Sequence, residues 1–245
     1  MNNEIKSNLE GLYDYYKTVL DNTSLYNILD DLMTKNPLYT DFNIGFLTSL
    51  FENQEIKHLK KAKTNTELIN TFQKAITIEI DDTETISQLK DDILNSIPLI
   101  KDSISNKKKQ YKNRAIFLEY QFEPLASFYG FGKGNFPIVD TFTSFDFNDM
   151  KSLYKNIGLI NYTKIWKALT VFDEILERAN IYDQVIESET YKTLHKCYQL
   201  KTYLLLHEAF KSINIKVFNG IKIKKPLFIY GGEHGCEAIN IYVFE

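Results

Sequence analysis

Two cysteines, two arginines, four histidines and one tryptophan are few for a chain of 245 residues, and each scarcity excludes something. Cys197 and Cys236 cannot make a disulfide framework, so a reducing, cytoplasmic setting is the expectation. Arg114 and Arg178 are the only side chains suited to bidentate phosphate contacts, and the net charge is −3. Direct nucleic-acid binding is therefore not expected. No uninterrupted apolar run approaches the roughly 20 residues that span a bilayer, so no membrane association is expected. The opening MNNEIKSNLEGLYDYY lacks the apolar centre of a signal peptide. His207-Glu208 resembles the start of a metalloprotease pair, but position 211 is Lys, and the second histidine ligand is missing. A metal site would have to gather His195, His207 and His234 from separate elements, so neither metal nor cofactor is expected.

What the chain has in quantity is helical periodicity. Its 44% hydrophobic and 25% charged residues are those of an ordinary globular protein, with length for one large domain or two small ones. Ser7 and Glu10 read as a capping box before Leu9, Leu12, Tyr13, Tyr16, Val19 and Leu20. A second helix is expected over about Leu25 to Thr34, a third follows NIGFLTSLFENQEIKHLKKA, and Thr64 with Glu67 caps ELINTFQKAI. The short TIEI reads as strand or as the end of that helix. Further helices are expected over Thr85–Ser105, kinked near Pro98, over Lys107–Ser127, and from Asp146 to the terminating Gly158. NYTKIWKALTVFDEILERA and a long helix over about Gln184–Ser212 complete the helical part. Cys197 falls on the apolar stripe of that last helix and reads as a small core residue.

Two stretches break the pattern. FYGFGKGNFP, Phe128 to Pro137, reads as a loop that its aromatics plug into the core. Its Gly130-Phe131-Gly132-Lys133-Gly134 lacks the Lys-Ser/Thr ending and the spacing of known phosphate loops. At the end, IKVFNGIKIKK reads as an Asn219-Gly220 hairpin, followed by strands PLFIY and AINIYVF. The fold class is therefore α+β: a mainly helical body, residues 1–213, carrying a small C-terminal antiparallel sheet, residues 214–245, packed on it.

Two places carry candidate chemistry. Between Ile78 and Ile104 stand seven acids, Glu79, Asp81, Asp82, Glu84, Asp91, Asp92 and Asp102, against Lys90 and Lys101. That local charge of −5 exceeds the −3 of the whole chain and makes Glu79, Asp81, Asp82, Glu84, Asp91 and Asp92 the candidate partner-binding residues. The other place is the closing loop, GGEHGCEA. Cys236 with His234 two positions away could form a nucleophile and base, with Glu233 beside them. Carboxylates at 233 and 237, however, hold a thiol protonated rather than activating it. The glycines at 231, 232 and 235 suit a hairpin tip.

The segment EYQFEPLASFYGFGKGNFPIVDTFTSFDFNDMKSLYKNIGLINYTKIWKALTVF, Glu119 to Phe172, resembles a bacterial helical family that includes a DNA-mimic protein and toxin-associated, immunity-like relatives. Gly130, Phe131 and Phe136 correspond to its aromatic loop and Ile157-Gly158 to a helix end. The resemblance implies a non-enzymatic role in binding a protein. The expectation is thus a cytoplasmic immunity protein, antitoxin or phage-encoded inhibitor that neutralises a protein partner, for instance a basic toxin. The alternative is an enzyme of unfamiliar type using Glu233, His234 and Cys236 or a cleft between helices and sheet.

Overall fold

The computed structural model describes residues 1–35, 47–105, 112–120, 124–233 and 237–245. In chain order its elements are α1 (Asn2–Asp21), α2 (Leu25–Lys35), α3 (Leu47–Ala62), α4 (Thr66–Thr77), α5 (Asp82–Ser105), β1 (Asn113–Tyr120), β2 (Leu125–Lys133), β3 (Lys151–Asn161), α6 (Thr163–Arg178), α7 (Tyr182–Ile186), α8 (Glu189–Lys211), β4 (Ile223–Glu233) and β5 (Ala238–Phe244). The fold is α+β. It divides into two compact units, each assembled from separate stretches of chain.

The first unit comprises Met1–Leu12, Ile80–Ile165 and Leu200–Glu245 and holds a five-stranded sheet in the order β3-β2-β1-β4-β5. β1 and β4 run parallel and every other neighbouring pair is antiparallel. The sheet therefore reaches well beyond the C-terminal segment. The helix expected over Lys107–Ser127 is β1 and the start of β2. The physical reason is burial on both faces: Ala115 to Leu118 and Tyr120 are all sealed from solvent, so the run shows no alternation.

The stretch expected as a glycine loop is largely β2. Gly130 is in a strand because a Cβ there would overlap the ring of Tyr154 on neighbouring β3. The helix expected from Asp146 to Gly158 is a 3-10 turn at Phe147–Asp149 followed by β3. Asn156 and Gly158 do take left-handed backbone angles, φ 53° and 70°, but they do so in a strand whose register with β2 is irregular. The Asn219-Gly220 hairpin is also replaced. Asn219 (φ −53°, ψ 131°) and Gly220 (φ 95°) form a type II turn after a 3-10 turn at Ile215–Phe218. Only the β4–β5 hairpin remains of the expected meander.

Both sheet edges are finished by side chains. Along β3, three α5 residues spaced four apart supply the partners. Asp92 Oδ2 accepts from the Asn161 amide (3.0 Å), Ser96 Oγ accepts from the Leu159 amide (3.2 Å), and Gln88 Nε2 donates to the Asn161 carbonyl (3.0 Å). On β5, the Asn2 amide donates to the Val243 carbonyl (2.8 Å) and accepts from its N–H (2.9 Å). Such closure removes the unpaired row that makes sheet edges prone to association.

The second unit comprises Tyr13–Glu79 and Trp166–Gln199 and is helical. Its core holds Leu29, Phe72, Phe172 and Leu176, with Phe72 and Phe172 rings 5.5 Å apart. The cap of α4 is Asn65, not Thr64: its side chain accepts from the Leu68 amide. α1 begins at Asn2, so Ser7 and Glu10 lie inside a helix and form no capping box at its start. Pro98 lies within α5, which continues through it. TIEI forms no strand: α4 ends at Thr77, and Ile78 takes a left-handed conformation.

Gly130→Ala should lower the unfolding free energy by about 1–3 kcal/mol, because Tyr154 is buried and its hydroxyl accepts from Asn113 at 2.9 Å, leaving the ring nowhere to move. Chemical denaturation of parent and variant measures this. An unchanged midpoint would mean that β2 and β3 are not packed as described.

Candidate functional site

The sheet of the first unit presents one face built from alternate residues of adjacent strands. Phe117 on β1 pairs in register with Tyr129 on β2 and with Tyr230 on β4; Ala115 pairs with Phe131. Phe117 and Tyr230 stack at 4.6 Å. The connection from β2 to β3 returns across this face, setting Phe145 and Phe147 each 5.2 Å from Phe117 and Phe147 5.6 Å from Phe131. Tyr230 anchors the connection by donating to the Pro137 carbonyl at 2.6 Å.

Between that connection, β1, β2 and β3 lies a hollow of about 190 Å³ lined by Glu119, Tyr129, Phe131, Phe147, Met150, Ser152 and Lys155. Its walls are mostly apolar and its charges are placed unequally. Glu119 is 8% exposed and Lys155 is exposed. Burial first, and the neighbouring Glu119 carboxylate second, push the Tyr129 phenol above its ordinary range. That second cause places negative charge beside the phenol. Glu119 was legible only as a lone acid in the apolar run RAIFLEYQF; the other lining residues come from strands and a connection that sequence periodicity did not bring together.

The second unit contains another hollow, about 170 Å³, lined among others by His58, Lys61, Asn65, Glu67 and Arg178. Glu67 pairs with Arg178 at 3.2 Å and Asn65 caps α4, so these three polar groups of the lining already have partners.

The acidic segment is distributed over different duties. Asp81 caps α5 by accepting from the Glu84 amide at 3.0 Å. Asp82 pairs with Lys201 at 2.8 Å and Glu84 with Lys164 at 2.6 Å. Asp92 is half-buried and holds the edge of β3. Asp91 is exposed on α5, whereas Glu79 belongs to the second unit and precedes the helix.

Of the closing-loop residues, Glu233 ends β4, in register with Tyr120 of β1, and His234 and Cys236 lie outside the described residues. The other two histidines that a metal site would have had to gather, His195 and His207, go to structural places. His207 Nδ1 meets the Ile241 carbonyl at 2.8 Å, and the His195 ring packs edge-on to Trp166 at 5.0 Å. Among the described residues no group of three or more His, Cys, Asp or Glu is gathered as a metal site would require. Cys197 is fully buried, and burial pushes its thiol up to about 12, so it is an inert core residue. No helix among the described residues is long and apolar enough to cross a membrane. No family model, curated protein or solved structure matches the chain.

One half-buried acid outside the hollow, Asp173, has a shifted carboxyl. Burial, opposed by the Tyr191 hydroxyl donating at 2.8 Å and reinforced by Glu177, pushes the Asp173 carboxyl from 3.8 up to about 7. Between those values the folded chain holds a proton that the unfolded chain has released. Its contribution is thus full below the unfolded value and lost as pH rises through the folded one. His195 acts in the opposite sense: burial lowers it from 6.5 to about 4, so its contribution is lost as pH falls. Asp173→Asn should therefore gain stability relative to the parent on going from about pH 4.5 to about pH 7.5, read as the difference between urea midpoints. A constant difference across that range would mean that Asp173 is ionised in the folded state.

Proposed function

We propose that the protein acts without catalysis, by stoichiometric binding of a basic protein partner that it neutralises, in the manner of an immunity protein, antitoxin or inhibitor. The observation that supports this is the arrangement of acids on α5. Glu84, Asp91 and Asp102 are all exposed and recur at intervals of 7 and 11 residues, so they fall on one stripe of the helix. The stripe runs for roughly 27 Å at about 1.5 Å per residue. Lys90 and Lys101 fall on another side of the helix, while Lys164 of α6 pairs with Glu84 at 2.6 Å and offsets part of the stripe's charge.

An acidic stripe of this kind steers a basic partner during encounter and contributes less to holding it once docked. A nuclease toxin, whose substrate requires a basic surface, is a partner of the right sign. The resemblance of Glu119–Phe172 to a family with immunity-like members is one of sequence pattern alone, since Gly130 and Phe131 of its loop lie in β2 and the Ile157-Gly158 of its helix end lies in β3.

The test begins with capture of a partner from the native host on the immobilised full chain, followed by binding kinetics with the purified pair. Glu84→Lys with Asp91→Lys should slow association by roughly tenfold at low salt, with the deficit shrinking as salt rises and dissociation little changed. Asp92 is left intact because it holds β3. Retention of no basic protein at defined stoichiometry, or an unchanged association rate for the reversed variant, would overturn the proposal. Cys236→Ser is the control: this function requires it to bind as the parent does.

A further inference from the structure

We propose that the end of the first unit where β1 and β4 begin docks peripherally on an anionic lipid bilayer. Its lysines meet the phosphate headgroups, and its partly exposed aliphatic side chains lie between them. The contact is separate from the acidic stripe of α5 and goes beyond the protein-binding role.

The lysines come together from separate stretches of the unit. The Asn113 amide donates to the Lys222 carbonyl at 2.6 Å, which sets Lys112 beside Lys222. The stem of Lys101, on α5, runs past Gly220, where a Cβ would lie 3.7 Å from its Cδ and Cε. The 3-10 turn at Ile215–Phe218 carries Lys216 and packs against α5. A step of two residues in β1, Asn113 to Ala115, is matched by a step of five in β4, Ile223 to Phe228. β4 therefore bulges, and Lys224, Lys225 and Pro226 are exposed. Ser212 through Gly232 contains no acid. Lys112, Lys216, Lys222 and Lys224 are exposed and make no ion pair among the described residues. Lys225 donates to the Glu245 carbonyl.

The sign of the patch makes its partner anionic, and the residues between the lysines select the class. Ile215, Val217 and Ile223 are half-buried and Pro226 is exposed, so aliphatic surface alternates with ammonium groups. From Ser212 to Pro226 the one aromatic ring is Phe218, and it is buried. Arg114 lies over the Phe136 ring at 5.6 Å. Base stacking and a guanidinium fork, which hold nucleic acids beyond simple attraction, are therefore not offered here. A headgroup layer needs neither, because lysine ammoniums pair with its phosphates while stems and aliphatic groups face the acyl boundary. Such a contact needs no spanning segment, so the expectation of no membrane association, drawn from apolar run length, does not bear on it.

The acids of α5 do not cancel the patch. Glu84 and Asp91 precede Lys101 by 17 and 10 residues, roughly 25 and 15 Å along the helix, beyond a screening length of about 8 Å. Asp102 and Glu245 sit at this end, where Lys101, Lys112, Lys216, Lys222, Lys224 and Lys225 outnumber them.

Co-sedimentation of the full chain with vesicles tests the inference. Vesicles of phosphatidylcholine and phosphatidylserine in equal parts should bind it, phosphatidylcholine alone should not, and salt should release it. Lys222→Ala with Lys224→Ala should weaken binding about thirtyfold, roughly five- to sixfold per lysine. Lys112→Ala with Lys216→Ala repeats the test at separate positions should that variant lose its fold. Lys60→Ala with Lys61→Ala removes the same charge from α3 of the second unit and should leave binding unchanged. Equal binding to both kinds of vesicle, or equal effects of the β4 and α3 pairs, would overturn the proposal. So would tighter binding to a random-sequence DNA duplex than to the anionic vesicles, which would assign the patch to nucleic acid. The Glu84→Lys, Asp91→Lys variant should bind anionic vesicles at least as well as the parent, so this inference and the protein-binding role fail separately.

Discussion

The pairing of β1 with β4 is the contact on which the rest of the first unit depends. Among the described residues it is the one parallel pairing, and it joins two antiparallel groups, β3-β2-β1 and β4-β5, that are far apart in sequence. The register Phe117 to Tyr230 stacks two aromatic rings and creates the surface on which Phe145 rests. The same register puts Gly231 opposite Leu118, where a side chain would collide with Tyr203 of α8 and with Ile241. A slip by one residue would move every one of these groups to the wrong face. The same central placement of β1 sets Glu119, in register with Ser127 of β2, on the lining of the hollow.

α5 shows how one helix can serve two masters at adjacent angles. Gln88, Asp92 and Ser96 form a stripe that completes β3, while Glu84, Asp91 and Asp102 form the neighbouring exposed stripe. Asp91 and Asp92 are consecutive in sequence and about 100° apart around the axis, and that rotation separates a solvated charge from a structural acceptor. The close approach of α5 to β3 also explains Gly158. Its Cβ would meet Ser96, and its positive φ suits the irregular strand at that point.

Much of the helical part was legible in the sequence, because α2, α4, α5 and α6 carry an apolar stripe at helical spacing that the chain itself displays. The hairpin β4–β5 was legible from two short apolar runs, PLFIY and AINIYVF, joined by a glycine-containing loop. β1 was not, since a strand covered on both faces has no period to read and resembles a buried helix. β2 was hidden by glycines that ordinarily signal turns; Gly130 marks close passage of Tyr154 instead. β3 was hidden because Asn156 and Gly158 imitate a helix terminus. The acidic segment was visible as charge, but the division into caps, ion pairs, an edge acceptor and an exposed stripe depends on where β3 and Lys201 lie. The hollow was invisible, because its lining converges only after three strands and a connection have taken their places.

The order of the strands along the chain has a consequence for synthesis. β1 is complete at Tyr120 and its parallel partner begins at Ile223, about a hundred residues later. At a translation rate of about 5–20 residues per second, roughly 5–20 s separate the two. β2 and β3 can pair with one side of β1 in that interval, but the side destined for β4 cannot be satisfied by any neighbour in sequence. Until β4 emerges, that side of the apolar strand has no partner in the sheet order. The time taken to translate α6–α8 sets the length of that interval.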